Sequence, residues 1–112
     1  MSDSTSLKNG SSAGSAADPS GQTALASGES LAMRLWEEAA GEAGTPHTRP
    51  YETVGYVVSG RVEVHVAGTA TAYGAGESYL VPAGAERNYV VVEDLVAVEA
   101  TSPPAEIHSR DA

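Results

Sequence analysis

The sequence predicts an all-β domain, an antiparallel sandwich or barrel built from short strands. Two observations lead to this prediction. Apolar and polar residues alternate with a period of two, as in residues 62–66, where three valines alternate with Glu63 and His65. Glycine- and proline-containing turn signals separate the alternating segments at intervals of about eight to twelve residues, a spacing typical of all-β sandwiches and barrels.

The chain of 112 residues is long enough for one domain. Its first 22 residues are dominated by serine, glycine, alanine and aspartate and contain a single leucine, Leu7. Such a segment cannot bury enough apolar surface to offset the entropy lost on ordering. We therefore predict a disordered tail over residues 1–22, a barrel domain over residues 23–104 and a C-terminal tail over residues 105–112.

The segment at residues 29–40 fits two kinds of secondary structure. Its leucine, alanine, methionine, arginine and glutamate residues favour a helix, which Ser30 could cap. Alternation favours a strand instead, with Leu31, Met33 and Leu35 on one face and Arg34 on the other. Local preference alone leaves both alternatives open.

The remaining elements are predicted as short strands joined by turns. A strand over residues 52–58 is expected to turn at Ser59-Gly60-Arg61 into a second strand, which forms a hairpin with the first. Glu93-Asp94 is expected to be a turn between the last two strands, and Ser102-Pro103-Pro104 to end the sheet. The other predicted strands cover residues 62–68, 69–73, 78–81, 88–92 and 95–99.

Composition excludes several classes of function. The formal net charge of −9 argues against nucleic acid and anionic membranes as partners. The absence of cysteine excludes disulfides and thiolate metal sites. Apolar runs are too short to span a bilayer, and the N-terminus lacks the apolar core of a signal peptide, so we expect a cytoplasmic protein. Residues 29–102 contain four arginines, no lysine and eleven acidic residues, which gives this segment a net charge of −7.

Two segments, residues 41–60 and 76–91, concentrate the polar side chains that could carry chemistry. If the first is extended from residue 47 onward, its odd-numbered side chains share one face. That face would carry an imidazole, a guanidinium, a phenol and a hydroxyl, from His47, Arg49, Tyr51 and Thr53. The second segment contains a Pro-x-Gly turn followed by another arginine, Arg87.

The spacing of these two segments resembles the two motifs of the cupin superfamily, G-x5-H-x-H-x3,4-E-x6-G and G-x5-P-x-G-x2-H-x3-N. The chain matches the glycine, histidine and proline positions at residues 41, 47, 60, 76, 82 and 84. It departs from the motifs at Arg49, Thr53, Arg87 and Val91, which replace His, Glu, His and Asn. The resemblance covers roughly residues 29–102. It implies a double-stranded β-helix, the jelly-roll barrel of the cupin type, and a strand rather than a helix at residues 29–40.

The resemblance also implies a metal position, and this chain retains one of its four ligands, His47. A guanidinium has no lone pair to donate, so Arg49 and Arg87 cannot be ligands. A lone imidazole binds a divalent metal weakly, and we expect no metal cofactor. If a metal were present, a displaced site would use His47 and Glu52.

The same substitutions suit an anion. In the family, positions 49 and 87 face the cavity, so two guanidinium groups there could bind a carboxylate, sulfate or phosphate. We therefore predict a cupin that has largely lost its metal site and binds a small anionic molecule in the barrel cavity. The predicted ligand-binding residues are His47, Arg49, Tyr51, Thr53, Arg87 and Tyr89. Pairing of the arginines with acidic residues at the rim is a nearly equal alternative.

A second alternative is a cupin enzyme, metal-dependent or metal-free, acting as a dioxygenase, isomerase or lyase on a small organic acid or sugar derivative. A metal-free reaction needs an acid–base pair. His47 is the best candidate for the base, and Tyr51 is a candidate partner. Whether the protein is an enzyme stays open at the level of sequence.

The predicted core is thin, with no phenylalanine and one tryptophan in the chain. At this size, the burial of apolar surface is marginal for a single domain. We therefore expect a homodimer in which leucine, Trp36 and valine side chains cover open sheet edges or faces.

Overall fold

The computed structural model describes residues 21–105, and within this range every regular element is a strand. The all-β prediction is confirmed. The predicted tails lie outside the described residues, apart from the positions nearest the domain, and β1 begins inside the segment expected to be a tail. The strands are β1 (Gln22–Ser27), β2 (Ala32–Glu38), β3 (Glu52–Val66), β4 (Thr69–Gly74), β5 (Ser78–Val81) and β6 (Arg87–Ser102).

All strand pairings are antiparallel, and the strand order is β1-β2-β6-β3-β4, with β5 also paired to β3. β3 and β6 run beside each other for most of their length. The first half of β3 pairs with β5, and its second half pairs with β4. β6 pairs with β2 through its second half only. The two long strands therefore connect both layers of the barrel.

The predicted turns at Ser59-Gly60-Arg61 and Glu93-Asp94 are wrong, because the chain continues through both as a strand. The register between β3 and β6 shifts between Val57 and Val62, which marks β-bulges. Gly60 has φ of 87°, and a Cβ there would run into the main-chain carbonyl of Asp94. The irregular parts of the two strands therefore lie against each other, and they bend the sheet where the sequence suggests hairpins.

The hairpin instead connects β3 to β4 through Ala67 and Gly68, which have φ of 49° and 87°. Consecutive positive φ values are typical of the mirror-image turns that match strand twist. Val66 pairs with Thr69 immediately beside this turn.

The segment at residues 29–40 is a strand, as the resemblance implied. Seven consecutive residues of β2 pair with β6, and this tertiary pairing overrides the helix preference of the sequence. Arg34 and Trp36 point inward and are 7% and 5% exposed, whereas Leu31 and Met33 point outward. The apolar stripe of this strand is therefore its outer face.

The apolar core lies between the two layers. Trp36 and Tyr89 meet edge to face across it, with ring centroids 5.2 Å apart. Trp36 is therefore part of the core and does not belong to an exposed dimer surface, which corrects the sequence-based expectation. The core consists of Trp36, Val57, Val62, Val64, Tyr79, Val81, Val91, Leu95 and Ala97.

Candidate functional site

The two polar segments singled out in the sequence meet in the structure. His47 and Arg87 form an isolated antiparallel bridge, with N–H to carbonyl distances of 2.9 and 2.8 Å. Gly84 donates its backbone N–H to the carbonyl of Arg49 at 2.8 Å. These backbone bonds bring the loop before β3 against the start of β6.

Arg87 is 2% exposed and supports the turn that precedes it. Its Nε donates to the carbonyl of Ala85 at 2.9 Å, and its Nη2 donates to the carbonyl of Pro82 at 3.0 Å. Both acceptors are main-chain oxygens, so neither neutralises the charge. Among residues 21–105, no carboxylate forms a salt bridge with Arg87.

A second buried guanidinium, that of Arg34, does have an acidic partner. Arg34, Glu99, Gly55 and Tyr79 occupy successive positions across β2, β6, β3 and β5. Arg34 Nε donates to Glu99 Oε1 at 2.8 Å, and the Tyr79 hydroxyl donates to Glu99 Oε2 at 2.5 Å. Glu99 is 1% exposed, so its carboxylate is held wholly inside the barrel by these two donors.

Gly55 makes this row of contacts sterically feasible. A Cβ at this position would collide with the ring and hydroxyl of Tyr79. The missing side chain lets the phenol of Tyr79 cross β3 and reach Glu99 on the neighbouring strand. The glycine is therefore required by a close approach between strands rather than by a turn.

Hydroxyl groups form the next row of the inner face. Thr53 pairs with Thr101, and both side chains are buried. Thr101 Oγ1 accepts the backbone N–H of Ala105 at 2.9 Å. Of the buried side-chain oxygens and nitrogens in residues 21–105, Thr53 Oγ1 is the one without a hydrogen-bond partner. Beside this row, the guanidinium carbon of Arg34 lies 5.7 Å from the ring centroid of Tyr51.

The interior keeps its phenols protonated. Burial raises the pKa of Tyr79 well above its usual value, and the neighbouring charge of Glu99 raises it further. Burial and the charge of Glu99 likewise raise the pKa of Tyr89, although Arg87 and Arg34 oppose that shift. Both tyrosines are therefore hydrogen-bond donors, not bases, over the physiological range.

The predicted ligand-binding residues divide into two groups. Tyr51, Thr53 and Arg87 are buried in the barrel interior, and Tyr89 is half-buried beside Trp36. His47 and Arg49 are half-exposed at the rim. The Nδ1 of His47 lies 2.8 Å from the carbonyl of Thr45, which requires the proton on Nδ1 and leaves Nε2 for another contact. Arg49 Nη1 donates to the carbonyl of Thr48 at 3.0 Å.

The side chains of the described residues do not form the metal site that the cupin resemblance implies. Within residues 21–105, no three His, Cys, Asp or Glu side chains come together in an arrangement that could hold a metal ion. Glu52, the ligand suggested for a displaced site, is exposed on the side of β3 opposite Thr53.

Sequence reasoning missed Arg34 and Glu99 as members of the site. A signal for each was present in the alternation. Arg34 shares its strand face with Trp36, and Glu99 shares its face with Leu95 and Ala97. Alternation defines the two faces of β2, however, and does not indicate which of them is buried.

The fold and interior together define a small barrel with a polar, ionisable inner face at one end and an apolar core at the other. A model of the cupin domain family matches residues 34–109. The chain belongs to this family. No helix in the described range is long and apolar enough to cross a membrane.

Solved structures agree with this assignment. KdgF from Halomonas sp. is 26% identical with a TM-score of 0.69, and the match covers 77% of this chain and 82% of that protein. An RmlC-like cupin from Shewanella frigidimarina is 23% identical with a TM-score of 0.78, covering 88% and 93%. The protein BH2720 from Bacillus halodurans is 20% identical with a TM-score of 0.72, covering 80% and 74%. The last two similarities support the fold alone. A search of curated proteins finds no match.

Proposed function

We propose that this cupin domain binds a small organic anion inside its barrel, with the Arg87 guanidinium as the principal anchor. One observation carries the proposal. The buried charged side chains of residues 21–105 are two arginines and one glutamate. Arg34 is paired with that glutamate, whereas the hydrogen bonds of Arg87 go to neutral carbonyls. An uncompensated buried charge is costly, and an anionic ligand would neutralise it.

The unused donors of Arg87 support this role. A guanidinium has five N–H groups in a planar fork that matches a carboxylate. The Nε hydrogen and one hydrogen of Nη2 are committed to Ala85 and Pro82. The remaining hydrogens can donate to a ligand while the committed ones hold the plane of the group fixed.

Neighbouring groups extend the site toward a ligand with further polar atoms. Thr53 Oγ1 is buried without a hydrogen-bond partner among the described residues and can donate or accept. His47, bridged to Arg87 through the backbone, has its Nε2 left over at the rim. Tyr51 is buried immediately before β3, two residues from Thr53. These residues would recognise hydroxyl or carbonyl groups of the ligand.

The electrostatics of Tyr79 and Tyr89 argue against these two phenols as proton-transfer groups. A general acid or base works best when its pKa lies near the working pH. Here the pKa values of Tyr79 and Tyr89 are raised, away from neutrality. Glu99 is tied to two donors, which suits a positioning role for the surrounding side chains.

Ligand-induced stabilisation in thermal unfolding tests the proposal. The probes are acetate, succinate, citrate, benzoate and inorganic phosphate, each beside a neutral amide or alcohol of similar shape where one exists. A ligand at about 100 times its Kd stabilises the folded state by about 2.7 kcal/mol. We expect at least one organic anion, and none of the neutral analogues, to raise the melting temperature.

Two arginine variants identify the anchor. Arg87→Gln should abolish the response, and Arg87→Lys should weaken it, because a lysine keeps the charge but loses the fork. Arg61→Gln is the matched control, since Arg61 is an exposed arginine whose nearest carboxylate, on Glu93, is 4.0 Å away. A response that survives in Arg87→Gln, or equal responses to anions and neutral analogues, would contradict the proposal.

A further inference from the structure

The Arg87 guanidinium is enclosed in this structure, although the proposed anion must contact it. Only 2% of the residue is exposed. Its Nε and Nη2 donate to the carbonyls of Ala85 and Pro82, in the turn between β5 and β6, so this turn covers one side of the group. A ligand cannot reach the remaining N–H groups unless part of the surrounding chain moves. The structure therefore describes a closed form of the proposed site.

The segment that joins β2 to β3 borders Arg87 from another side. His47 is the antiparallel partner of Arg87, so the two side chains lie on the same face of the sheet. The two backbone bonds between these residues are 2.9 and 2.8 Å long. Two residues further on, the carbonyl of Arg49 accepts the N–H of Gly84 at 2.8 Å. The segment therefore closes the barrel between the start of β6 and the turn that holds the guanidinium.

We call residues 40–47 the strap. The strap follows the first half of β6 as an irregular extra strand held by backbone hydrogen bonds. Gly41 donates its N–H to the carbonyl of Val91 at 3.1 Å, and Gly44 donates its N–H to the carbonyl of Tyr89 at 3.2 Å. The bonded strap residues are three apart and their partners on β6 are two apart, so the strap bulges between successive bonds.

Buried side chains anchor both ends of the strap but not the strap itself. Every residue from 39 to 46 is exposed. β2, which lies on the same edge of β6 along its second half, pairs through seven consecutive residues and buries Arg34 and Trp36. Beyond the strap, Tyr51 is 5% exposed. The strap is therefore a segment fixed at its two ends and held between them by its backbone alone.

Such a segment can separate from β6 without disturbing the apolar core. Opening exchanges its backbone hydrogen bonds for bonds to water, and each intramolecular hydrogen bond contributes little net free energy. Segments with few buried contacts and exposed hydrogen bonds open at the lowest free energies in a folded protein. Moving β2 would instead remove Trp36 from the core, and moving the turn would remove the carbonyl partners of Arg87. The strap is therefore the covering element that opens most easily.

We infer that the strap is the gate of the barrel: it separates from the first half of β6 to admit a ligand to Arg87 and closes again over the ligand. The inference rests on the anion site proposed above for what enters. The closed strap would exclude water from the guanidinium and its ligand, which strengthens the charge-assisted hydrogen bonds between them. His47 moves with the strap, so it would contact the ligand only after closure.

Labelling of Arg87 with phenylglyoxal, a small uncharged reagent that modifies arginine, measures opening without a ligand. Arg61, whose side chain is 48% exposed, is the internal reference, and peptide mass spectrometry separates the two sites. Gly44→Pro removes the N–H that bonds to Tyr89 and should speed the labelling of Arg87 about three- to tenfold relative to Arg61. Gly44→Ala is the matched control, because it keeps the N–H and its Cβ meets nothing within 4 Å. It should label like the wild type.

A reversible cross-link between the strap and β6 tests the opposite change. Asn88 Nδ2 lies 3.4 Å from the carbonyl oxygen of Gly44, so Gly44→Cys/Asn88→Cys places two thiols close together in a chain that has no other cysteine. A short bifunctional methanethiosulfonate joins them, and a reductant releases them. In the linked protein the labelling of Arg87 should fall at least about tenfold, because access then needs a larger and rarer opening. It should recover after reduction, and labelling of Arg61 should not change.

Two outcomes would overturn the strap as the gate: equal labelling of Arg87 in the linked and released protein, or equal labelling in Gly44→Pro and Gly44→Ala. The released double variant also separates this inference from the anion site. An anion that binds at Arg87, with succinate, citrate and benzoate as the probes, should slow its labelling. Strap-dependent labelling that none of these anions slows would support the strap and contradict the anion site alone.

Discussion

The inner and outer faces of the same strands are opposite in character. Tyr79 and Leu80 are neighbours on β5, yet Tyr79 is 4% exposed and donates to a buried carboxylate, whereas Leu80 is 52% exposed. On β2, Arg34 is buried and Met33 is exposed. In the rows of Arg34–Glu99–Tyr79 and Thr53–Thr101 the polar residues lie inside, and the apolar residues beside them along the strands lie outside. Where β3 and β6 pair beyond their bulges the arrangement is the usual one, with Val62, Val64 and Val91 in the core.

The apolar core and the buried polar rows contribute differently to this small domain. The apolar core, to which both halves of the barrel contribute, supplies most of the burial that holds the layers together. The polar rows can exist only because their inner groups satisfy one another across strands, as Arg34, Tyr79 and Glu99 do. The inner face of these strands therefore presents polar groups to the barrel interior, and their outer face carries exposed apolar side chains.

The largest effect should come from removing the charge of Glu99. Glu99→Gln leaves the Arg34 guanidinium buried without its carboxylate, and breaking a buried ion pair in this way costs about 3–5 kcal/mol. We expect a loss of that size in the free energy of unfolding, measured by urea denaturation at neutral pH.

The double variant Arg34→Met/Glu99→Leu tests whether the cost arises from the unpaired charge. Replacing both partners with apolar residues removes the buried charges together, so the double variant should be more stable than Glu99→Gln. A double variant as unstable as Glu99→Gln would show that the loss of stability comes from packing around the pair and not from the unpaired charge of Arg34.

A smaller loss is expected from Gly55→Ala. The added Cβ would collide with the Tyr79 ring, which must move and weaken its bond to Glu99. Overpacking of this kind costs about 1–3 kcal/mol. Gly44→Ala is the matched control, because its Cβ would meet nothing within 4 Å, and it should change the free energy of unfolding by less than about 0.5 kcal/mol. Equal effects of the two alanines would contradict the steric argument.

The smallest effect is a dependence of stability on alkaline pH. The folded state raises the pKa of Tyr79 above the value of about 10 found in unfolded chains. Below pH 10 both states hold the proton, and the stabilisation is fully present. Above it the unfolded state releases the proton first, so the free energy of unfolding should fall by up to about 1.4 kcal/mol per pH unit for each such phenol.

Urea denaturation at successive pH values above neutrality measures this slope. Tyr79→Phe should be less stable at neutral pH and should have a shallower slope above pH 10. Tyr73→Phe, which removes a phenol that packs against Tyr79 without bonding to Glu99, serves as the control. If the free energy of unfolding of Tyr79→Phe falls with pH as steeply as that of the wild type, groups other than Tyr79 cause the loss of stability at alkaline pH.

The sequence by itself determined the fold class and much of the inner face. Period-two alternation predicts Tyr51 and Thr53 inward, where both are buried, and the glycine and proline spacing alone resembles that of the cupin family. These features are local, because side chains alternate along any strand and the turns are encoded by a few residues. The same locality explains the errors at Ser59-Gly60-Arg61 and Glu93-Asp94, where turn-like residues form bulges and bends because another strand holds them in a sheet.

Tertiary structure decided which face of each strand is inside. The pattern of β2 is compatible with burying either Leu31 and Met33 or Arg34 and Trp36, since alternation specifies two faces and not their direction. The choice depends on Glu99, which is 65 residues away in sequence and supplies the partner that makes a buried Arg34 stable. A pairing between distant residues cannot be inferred from the local pattern of either strand, and it is this pairing that places polar groups inside the barrel and leaves an apolar face outside.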